Sequence, residues 1–418
     1  MKRDIGVAGA GIGGLAFAAA AARAGNRVVV FDRFDTPAPV GSGLVIQPVG
    51  QAVLDAVGAG DAAQAQGQPI TRMLGHEARS GRAVLDVTYD LTGSGRHGLG
   101  IHRGALFASL LATATDAGAE LRAGHTVTAQ AGGRVKLSGK PDAGPFDLIV
   151  DATGAGSALS PLAARPLSYG ALWANVPWPE TALAPDHLSQ RYRGARHMIG
   201  ALPIGRLPGA GQPLAAVFWS LPADGYDAWR ARPLADWKAQ ATALWPAIAP
   251  FLATIAAHDD MTMARYGHGT LARPAGAGIA HIGDAAHRTS PQLGQGANMA
   301  LLDACALAAA LAQHHHLPDA LKAYVLGRRW HVRAYQLMSA AFTPQYQSDS
   351  RFLPLVRDHL LMPLSQMPPV PRILGRLVCG DLLPPYGSLG RRAAAPEQTL
   401  QRPAHDARDR GAAQRVKG

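Results

Sequence analysis

Apolar and polar positions along the first 32 residues alternate in blocks that predict strand, turn, helix and strand. Residues 5–8 are apolar or glycine throughout, as in a buried strand; 9–14 are glycine-rich and read as a tight turn. Residues 15–24 read as a helix, and 28–31 as a second buried strand ending at Asp32. Two buried strands joined through a helix make a parallel unit of the α/β kind. Further on, 73–89 reads as a hairpin turning at Arg79-Ser80-Gly81, 105–117 as a helix, 120–122 as a short strand and 146–151 as another buried strand.

The texture changes between about 167 and 266. Short apolar segments such as 198–201 and 215–221 alternate with Pro/Gly turns, and helical stretches fall near 234–255, predicting a mainly antiparallel sheet with helices. A buried strand returns at 279–283 and a strong helix at 297–313, so the first unit is predicted to be discontinuous. Beyond 317 the chain reads as helical to about 342, where Pro344, Pro354, Pro363, Pro368, Pro369 and Pro371 break it. Residues 391–418 are polar and Ala/Arg-rich, the composition of a disordered tail. No internal repeat is present.

Composition narrows this picture. A chain of 418 residues suits two packed domains with appendages, and 48% apolar content rules out disorder of the whole. The formal charge of +11 invites a nucleic-acid partner, but seven of the 40 basic residues fall after Ser388 and the rest are scattered without a block. Small anionic ligands suit that distribution better than nucleic acid. Cys305 and Cys379 share no redox or metal spacing, and nothing points to an oxidising compartment, so a cytoplasmic protein is expected. Met1-Lys2-Arg3 before an apolar stretch resembles a secretory signal, yet Asp4 and the glycines at 9, 11, 13 and 14 suit a turn instead. No uncharged apolar stretch reaches the ~20 residues that a bilayer span needs.

Gly9-Ala10-Gly11-Ile12-Gly13-Gly14 matches G-x-G-x-x-G, with fingerprint glycines Gly9, Gly11 and Gly14. Such a turn lets backbone N–H groups and a helix N-terminus face a pyrophosphate. Asp32 stands 21 residues after Gly11, at the end of the second strand, where a carboxylate can accept from a ribose diol. Arg33 beside it is a further cofactor-binding candidate. The pattern specifies an ADP moiety without separating NAD from FAD.

A second motif separates them. His281-Ile282-Gly283-Asp284-Ala285-Ala286-His287 precedes Pro291-Gln292-Leu293-Gly294-Gln295-Gly296-Ala297-Asn298, with Asp303 in the following helix. On this run the chain resembles the para-hydroxybenzoate hydroxylase-like (class A) FAD-dependent monooxygenases, in motif order over roughly residues 1–340. The resemblance implies that Asp284 holds the flavin ribityl hydroxyls and that Pro291, Gly294 and Gln295 form the flavin-ring environment. Gly294, Gly296, Ala297 and Asn298 would then offer backbone N–H groups to the ring's pyrimidine edge. A helix N-terminus there would favour the negative charge of reduced flavin. Arg103, within Ile101-His102-Arg103, matches the family arginine near the FAD phosphates or ribityl chain, and Gly41-Ser42-Gly43-Leu44 with Gln47 matches the segment lining the flavin.

The implied architecture is α/β. A Rossmann-like FAD-binding domain (1–70, 98–165 and 267–340) joins a mainly antiparallel-sheet substrate domain (71–97 and 166–266), a C-terminal helical region (341–390) and the tail. The implied activity is NAD(P)H-dependent hydroxylation or epoxidation with O₂ of a small aromatic or polyketide-like substrate, on non-covalent FAD, by a monomer or homodimer. One departure bears on the reductant. Where the family carries an acid and an arginine, this chain has Thr153 and Ser160, with Asp151 two residues early. A flavin dehydrogenase, oxidase or reductase, or a partner protein that keeps FAD without catalysis, are the alternatives. Tyr192, His197, Trp219 and Tyr266 are substrate-pocket candidates, although strand alternation sends about half of such residues to the wrong face. His287 and Arg288 follow Asp284 closely, and His287 has backbone as an alternative partner. The sequence has no H-E-x-x-H or C-x-x-C metal pattern.

Overall fold

The structure is a computed structural model that describes residues 2–35, 42–387 and 389. Gly41 and residues 391–418 lie outside the described residues.

The run Ile5-Gly6-Val7-Ala8 sits at the centre of a six-stranded sheet because it is apolar on both faces, as a strand covered by helices must be. Strand Asp4–Ala8 pairs in parallel with Arg27–Phe31 on one side and Leu148–Asp151 on the other. Glu120–Arg122 extends the first side, Ile279–His281 and then Ala275–Gly276 the second. Ile5 aligns with Leu148 and Val28, so the three apolar runs share a register. Helices Ile12–Arg23, Arg103–Asp116, Gly296–Gln313 and Leu317–Tyr346 supply residues to the same main core.

Helix Gly296–Gln313 passes as a membrane span by length and composition alone, although at 18 residues with Asp303 inside it is neither uncharged nor ~20 long. It is a core helix. Met299, Leu301, Leu302 and Leu307 are buried among the other helices, and a helix covered on most sides has little need of a polar face.

The second sheet has seven strands, in the order Thr262–Ala264, Tyr169–Pro177, Leu214–Pro222, His197–Pro203, His187–Arg193, Arg72–Glu77 and Ala83–Thr88. The predicted hairpin thus joins the sheet of the later segment. The pairing is antiparallel except between His187–Arg193 and Arg72–Glu77. One face of this sheet packs on helices Tyr226–Arg230 and Leu234–Leu244 through a tryptophan-rich cluster, and the other carries a separate apolar cluster.

Several boundaries differ from the sequence expectation: the first helix starts at Ile12 within the glycine turn, and the 279–283 strand ends at His281. The 317–342 helix runs on to Tyr346 with Pro344 inside it, because a proline in the final turn removes little more than one helical bond. The 234–255 stretch is split after Leu244, where Pro246 begins a 3₁₀ turn. Beyond Tyr346 the prolines produce short pieces: Leu353–Val356, a π-helical turn Arg357–Leu361, Met362–Ser365 and the terminal helix Val370–Cys379.

Candidate active site

The fingerprint turn is shaped by what a side chain would strike. Gly9 has φ +98°, and a Cβ on it would lie 2.6 Å from the Ala152 carbonyl oxygen. A Cβ on Gly14 would lie 2.0 Å from the Gly9 carbonyl. At Gly11 a Cβ would meet only the Ala152 oxygen, at 3.8 Å, so glycine there leaves bare backbone at the N-cap of helix Ile12–Arg23. Gly11, Ile12 and Gly13 line the large cavity between the two sheets. Asp32 accepts from the Ala10 N–H at 2.7 Å and the Phe34 N–H at 3.1 Å, which fixes its carboxylate beside the turn. Arg33 instead stacks over the Phe34 ring at 4.8 Å and is not among the residues lining the cavity.

Asp284 and Arg103 both line the cavity from different elements, the 3₁₀ turn Gly283–Ala285 and the first turn of helix Arg103–Asp116. Each keeps accessible surface toward the cavity while protein rings it. That enclosure pushes the Asp284 carboxyl above its ordinary range, against the pull of His287, Arg103 and Arg288. It lowers the Arg103 guanidinium, which Asp284 opposes. A carboxylate and a guanidinium facing one polar slot suit hydroxyl-rich and phosphate groups respectively.

His287 does not turn toward the cavity. Its Nε2 lies 2.6 Å from Asp303 Oδ2, which also accepts from the Gly283 N–H at 2.9 Å, while Oδ1 accepts from Arg328 Nε at 2.7 Å. Burial raises the Asp303 carboxyl, but His287 and Arg328 outweigh it and hold the group at about 2. This buried triad braces the Asp284 turn from behind.

The loop 291–295 carries Pro291 and Gly294 on the cavity wall, with Gly294 in the left-handed region at φ +60°. Gly296 and Ala297 line the cavity at the start of their helix, whose first N–H groups have no intrahelical acceptors. Asn298 supports them from inside: its Oδ1 accepts from the Gln47 N–H at 2.8 Å, and its Nδ2 donates to the carbonyls of Gly294 (2.8 Å) and Val45 (3.2 Å). What Asn298 can offer a ligand is backbone. Gln295 departs from the sequence reading. Its side chain, 2% exposed, donates to the Val378 carbonyl at 2.8 Å in the terminal helix, so it tethers the C-terminal region rather than facing a ring.

Gln47 is fully buried and lines the cavity; the Tyr89 hydroxyl is its neighbour, but neither the amide oxygen nor the nitrogen makes a well-aligned hydrogen bond among the described residues. An unsatisfied buried amide is costly unless a ligand completes it. A flavin ring edge, which carries both donors and acceptors, fits this position beside Gly294. The fingerprint turn, the Asp284–Arg103 slot and this amide together fit FAD.

Across the cavity lies the seven-stranded sheet. Tyr192 and Tyr266 line it, with Trp173, Met198 and Phe218. The Tyr266 hydroxyl accepts from the Trp173 indole N–H at 2.9 Å, and burial pushes its pKa up to about 12. His197 and Trp219 are on the opposite face, a correction to the sequence reading. Trp219 is 3% exposed and meets Trp237 edge-on with ring centroids 6.3 Å apart, while His197 lies 5.9 Å from Trp219. Phe218 takes the cavity side, and its neighbour Trp219 must take the other.

Thr153 and Ser160 are both spent on local structure. Thr153 Oγ1 donates to Asp151 at 2.6 Å, and Ser160 Oγ to the Ala285 carbonyl at 2.5 Å. Asp151, fully buried, accepts from Thr153, Ser157 and His281 and so holds its own turn. Arg288 reaches the Ala155 carbonyl over the same turn. Sequence reasoning did not assign the C-terminal residues of the wall, among them Phe342, Tyr346, Arg357, Leu361 and Leu374. No motif marks them, because their position depends on where the Pro-broken segment folds back. The cavity measures about 800 Å³, toward the upper end of the roughly 300–1,000 Å³ common for ligand sites. Among the described residues no group of His, Cys, Asp and Glu could hold a metal ion.

Comparison with known proteins points to the same cofactor. The FAD binding domain family matches residues 2–138 and 240–338. The chain is 29% identical over 357 residues to the putative 2-heptyl-3-hydroxy-4(1H)-quinolone synthase AqdB1 of Rhodococcus erythropolis, covering 80% of this chain and 86% of that one. It is 27% identical over 338 residues to the FAD-dependent urate hydroxylase of Klebsiella pneumoniae, covering 78% and 86%. Among solved structures, 2-methyl-3-hydroxypyridine-5-carboxylic acid oxygenase superposes with a TM-score of 0.72 at 21% identity, covering 85% of this chain and 96% of the other. A probable FAD-dependent monooxygenase from Pseudomonas aeruginosa gives 0.70 at 20%, covering 83% and 97%.

Proposed function

Because the chain belongs to the FAD binding domain family, within the para-hydroxybenzoate hydroxylase-like flavoenzymes, we propose that it inserts one oxygen atom from O₂ into a planar, largely apolar aromatic substrate. NAD(P)H is the reductant typical of such enzymes. By their names, the relatives above form a hydroxyquinolone or act on urate and on a hydroxypyridine-carboxylic acid, and a bicyclic heteroaromatic bearing an alkyl chain is the substrate class we favour.

One observation carries the reading: the flavin-ring loop and an aromatic, apolar sheet face bound the same cavity. FAD, held there, would supply the redox chemistry and oxygen activation. The protein's part is to bind, orient and exclude water. The fingerprint turn and Asp32 would hold the ADP half, Asp284 and Arg103 the ribityl and phosphate region, and the N-terminus of helix Gly296–Gln313 would stabilise negative charge at the ring. Trp173, Phe218 and Met198 would keep the substrate dry beside it. Tyr266, its lone pair engaged by Trp173 and its proton firmly held, would donate a hydrogen bond into the cavity.

Residues 1–70, 98–165 and 267–340 serve as the cofactor half in this reading, and 71–97 with 166–266 as the substrate half. The chain acts as a monomer or homodimer. Its two cysteines are free thiols, which suits a cytoplasmic setting. The test is incubation with an alkyl-substituted 4-quinolone, NADPH and ¹⁸O₂, followed by mass spectrometry of the product. One labelled oxygen is expected. Substrate oxidation without label would move the protein to the dehydrogenase or oxidase alternative, which the tied-up Thr153 and Ser160 hydroxyls favour.

A further inference from the structure

The C-terminal wall of the cavity holds a cation that no cofactor role absorbs. Arg357 begins the π-helical turn Arg357–Leu361, lines the cavity and is 1% exposed. Single π-turns recur at functional sites. Three of its donor positions are accounted for: Nε donates to Asp358 at 2.6 Å, and Nη1 to the carbonyls of Gln345 (2.9 Å) and Gly194 (3.3 Å). Nη2 has no acceptor among the described residues. A buried guanidinium N–H without a partner is costly, and a ligand that accepts from it recovers that cost.

Its surroundings define the ligand. The guanidinium carbon lies 5.3 Å from the ring centre of Tyr192 and 5.1 Å from that of Tyr346. The Tyr192 hydroxyl donates to Gln190 and the Tyr346 hydroxyl to the Val84 carbonyl, so both phenol protons are turned into the wall. Nη2, itself covered, is the guanidinium nitrogen left without an acceptor among the described residues. The charge is already balanced. Asp358 neutralises Arg357, and Asp86, a cavity-lining carboxylate on the same strand as Val84, is held by both arms of Arg72 at 2.7 Å. An added carboxylate would meet paired cations and two existing anions, whereas a neutral carbonyl oxygen needs only the donor.

We propose that Arg357 is the substrate's polar anchor, donating from Nη2 to a ring carbonyl oxygen of a neutral planar aromatic and so setting which substrates enter. The inference rests on the aromatic-substrate reading above but is tested by binding alone. FAD-loaded protein is titrated with 4(1H)-quinolone, with quinoline, which lacks the oxygen, and with quinoline-4-carboxylate, following ligand or flavin fluorescence.

Wild-type protein is expected to bind the quinolone roughly 10–100-fold more tightly than quinoline, the range for a hydrogen bond to a charged group, and more tightly than the carboxylate. Arg357→Met should keep FAD and quinoline affinity and lose the preference; Arg357→Lys should recover part of it. Should Arg357→Met fail to fold, Arg357→Lys decides: an undiminished preference for the quinolone in that variant overturns the proposal. Equal binding of quinolone and quinoline, tightest binding of the carboxylate, binding of none of the three, or a preference that survives Arg357→Met overturns the proposal. Failure of the monooxygenase reading would show separately, as a product without ¹⁸O, and leaves these binding differences intact.

Discussion

At the scale of single residues, the site separates groups that face ligand from groups that hold them. Asp284 faces the cavity, and in the proposed reading its enclosed carboxylate would accept from the ribityl chain. Asp284→Ala should weaken FAD retention by about one to two decades, since hydrogen bonds to a charged group contribute roughly 1.5–3 kcal/mol. Flavin content after dialysis measures this, with circular dichroism showing an intact fold; full FAD occupancy would refute the assigned role. Trp219 is the opposite case. Packed against Trp237 on the far face of the sheet, Trp219→Phe should lower the melting temperature while leaving substrate affinity unchanged. A changed substrate affinity in that variant would mean the two faces communicate.

At the scale of elements, the Asp303 triad joins three pieces of chain: the Gly283 turn, the strand at His287 and the long helix at Arg328. Removing one partner of a buried ion pair costs about 3–5 kcal/mol, because the other is left charged and dry. Asp303→Asn should therefore destabilise strongly. The sign with pH follows from the depressed carboxyl, about 2 against an ordinary 3.8. Its stabilisation is complete above the ordinary value and is lost as pH falls through the folded one. Wild-type stability should drop between about pH 4 and pH 2, and Asp303→Asn should lack that part of the decline; parallel acid limbs in denaturant melts of the two proteins would exclude the triad as the cause.

The same scale shows how chain segments share a wall. The Gln295 amide reaches Val378, which ties the flavin loop to the terminal helix Val370–Cys379, and Leu374 and Leu377 of that helix line the cavity. The stretch from Phe342 to Val378 is thus a structural part of the pocket. The sequence expectation of a helical region broken by prolines holds for their local form, whereas their contribution to the cavity is a matter of packing.

For the whole molecule, the open question is how a reductant approaches. The positions that carry an acid and an arginine in the resembled family hold Thr153 and Ser160 here, and both hydroxyls are bound to neighbouring protein atoms. The net charge of +11 offers NADPH only a diffuse attraction, screened beyond about 8 Å at physiological salt. Flavin reduction by NADPH alone should be slow, and faster once substrate fills the pocket, if binding completes the reactive arrangement. Stopped-flow absorbance of the bound flavin checks this. Rapid saturable reduction at micromolar NADPH without substrate would show that the substitutions are harmless.

What the sequence determined by itself lies in local chemistry. Gly9, Gly11 and Gly14 announce their turn because only glycine tolerates that backbone and its close approaches. Asp32 was legible from its spacing to such a turn, Asp284 only through the family resemblance, and the buried strands from apolar runs without alternation. Tertiary structure decided whatever depends on which face a residue takes or what lies across from it. Strand alternation left Trp219 and His197 as plausible as Tyr192 and Tyr266 until the two sides of the sheet acquired different neighbours. Gln295 sits in the flavin motif, yet its side chain turns away because the Val378 carbonyl needs a donor. Arg357 carries no signature at all: a lone arginine among prolines becomes a cavity group only when a segment more than 150 residues beyond Tyr192 folds back against that ring. Contacts between residues so distant along the chain are set by the summed packing of several elements, and no local pattern records that sum.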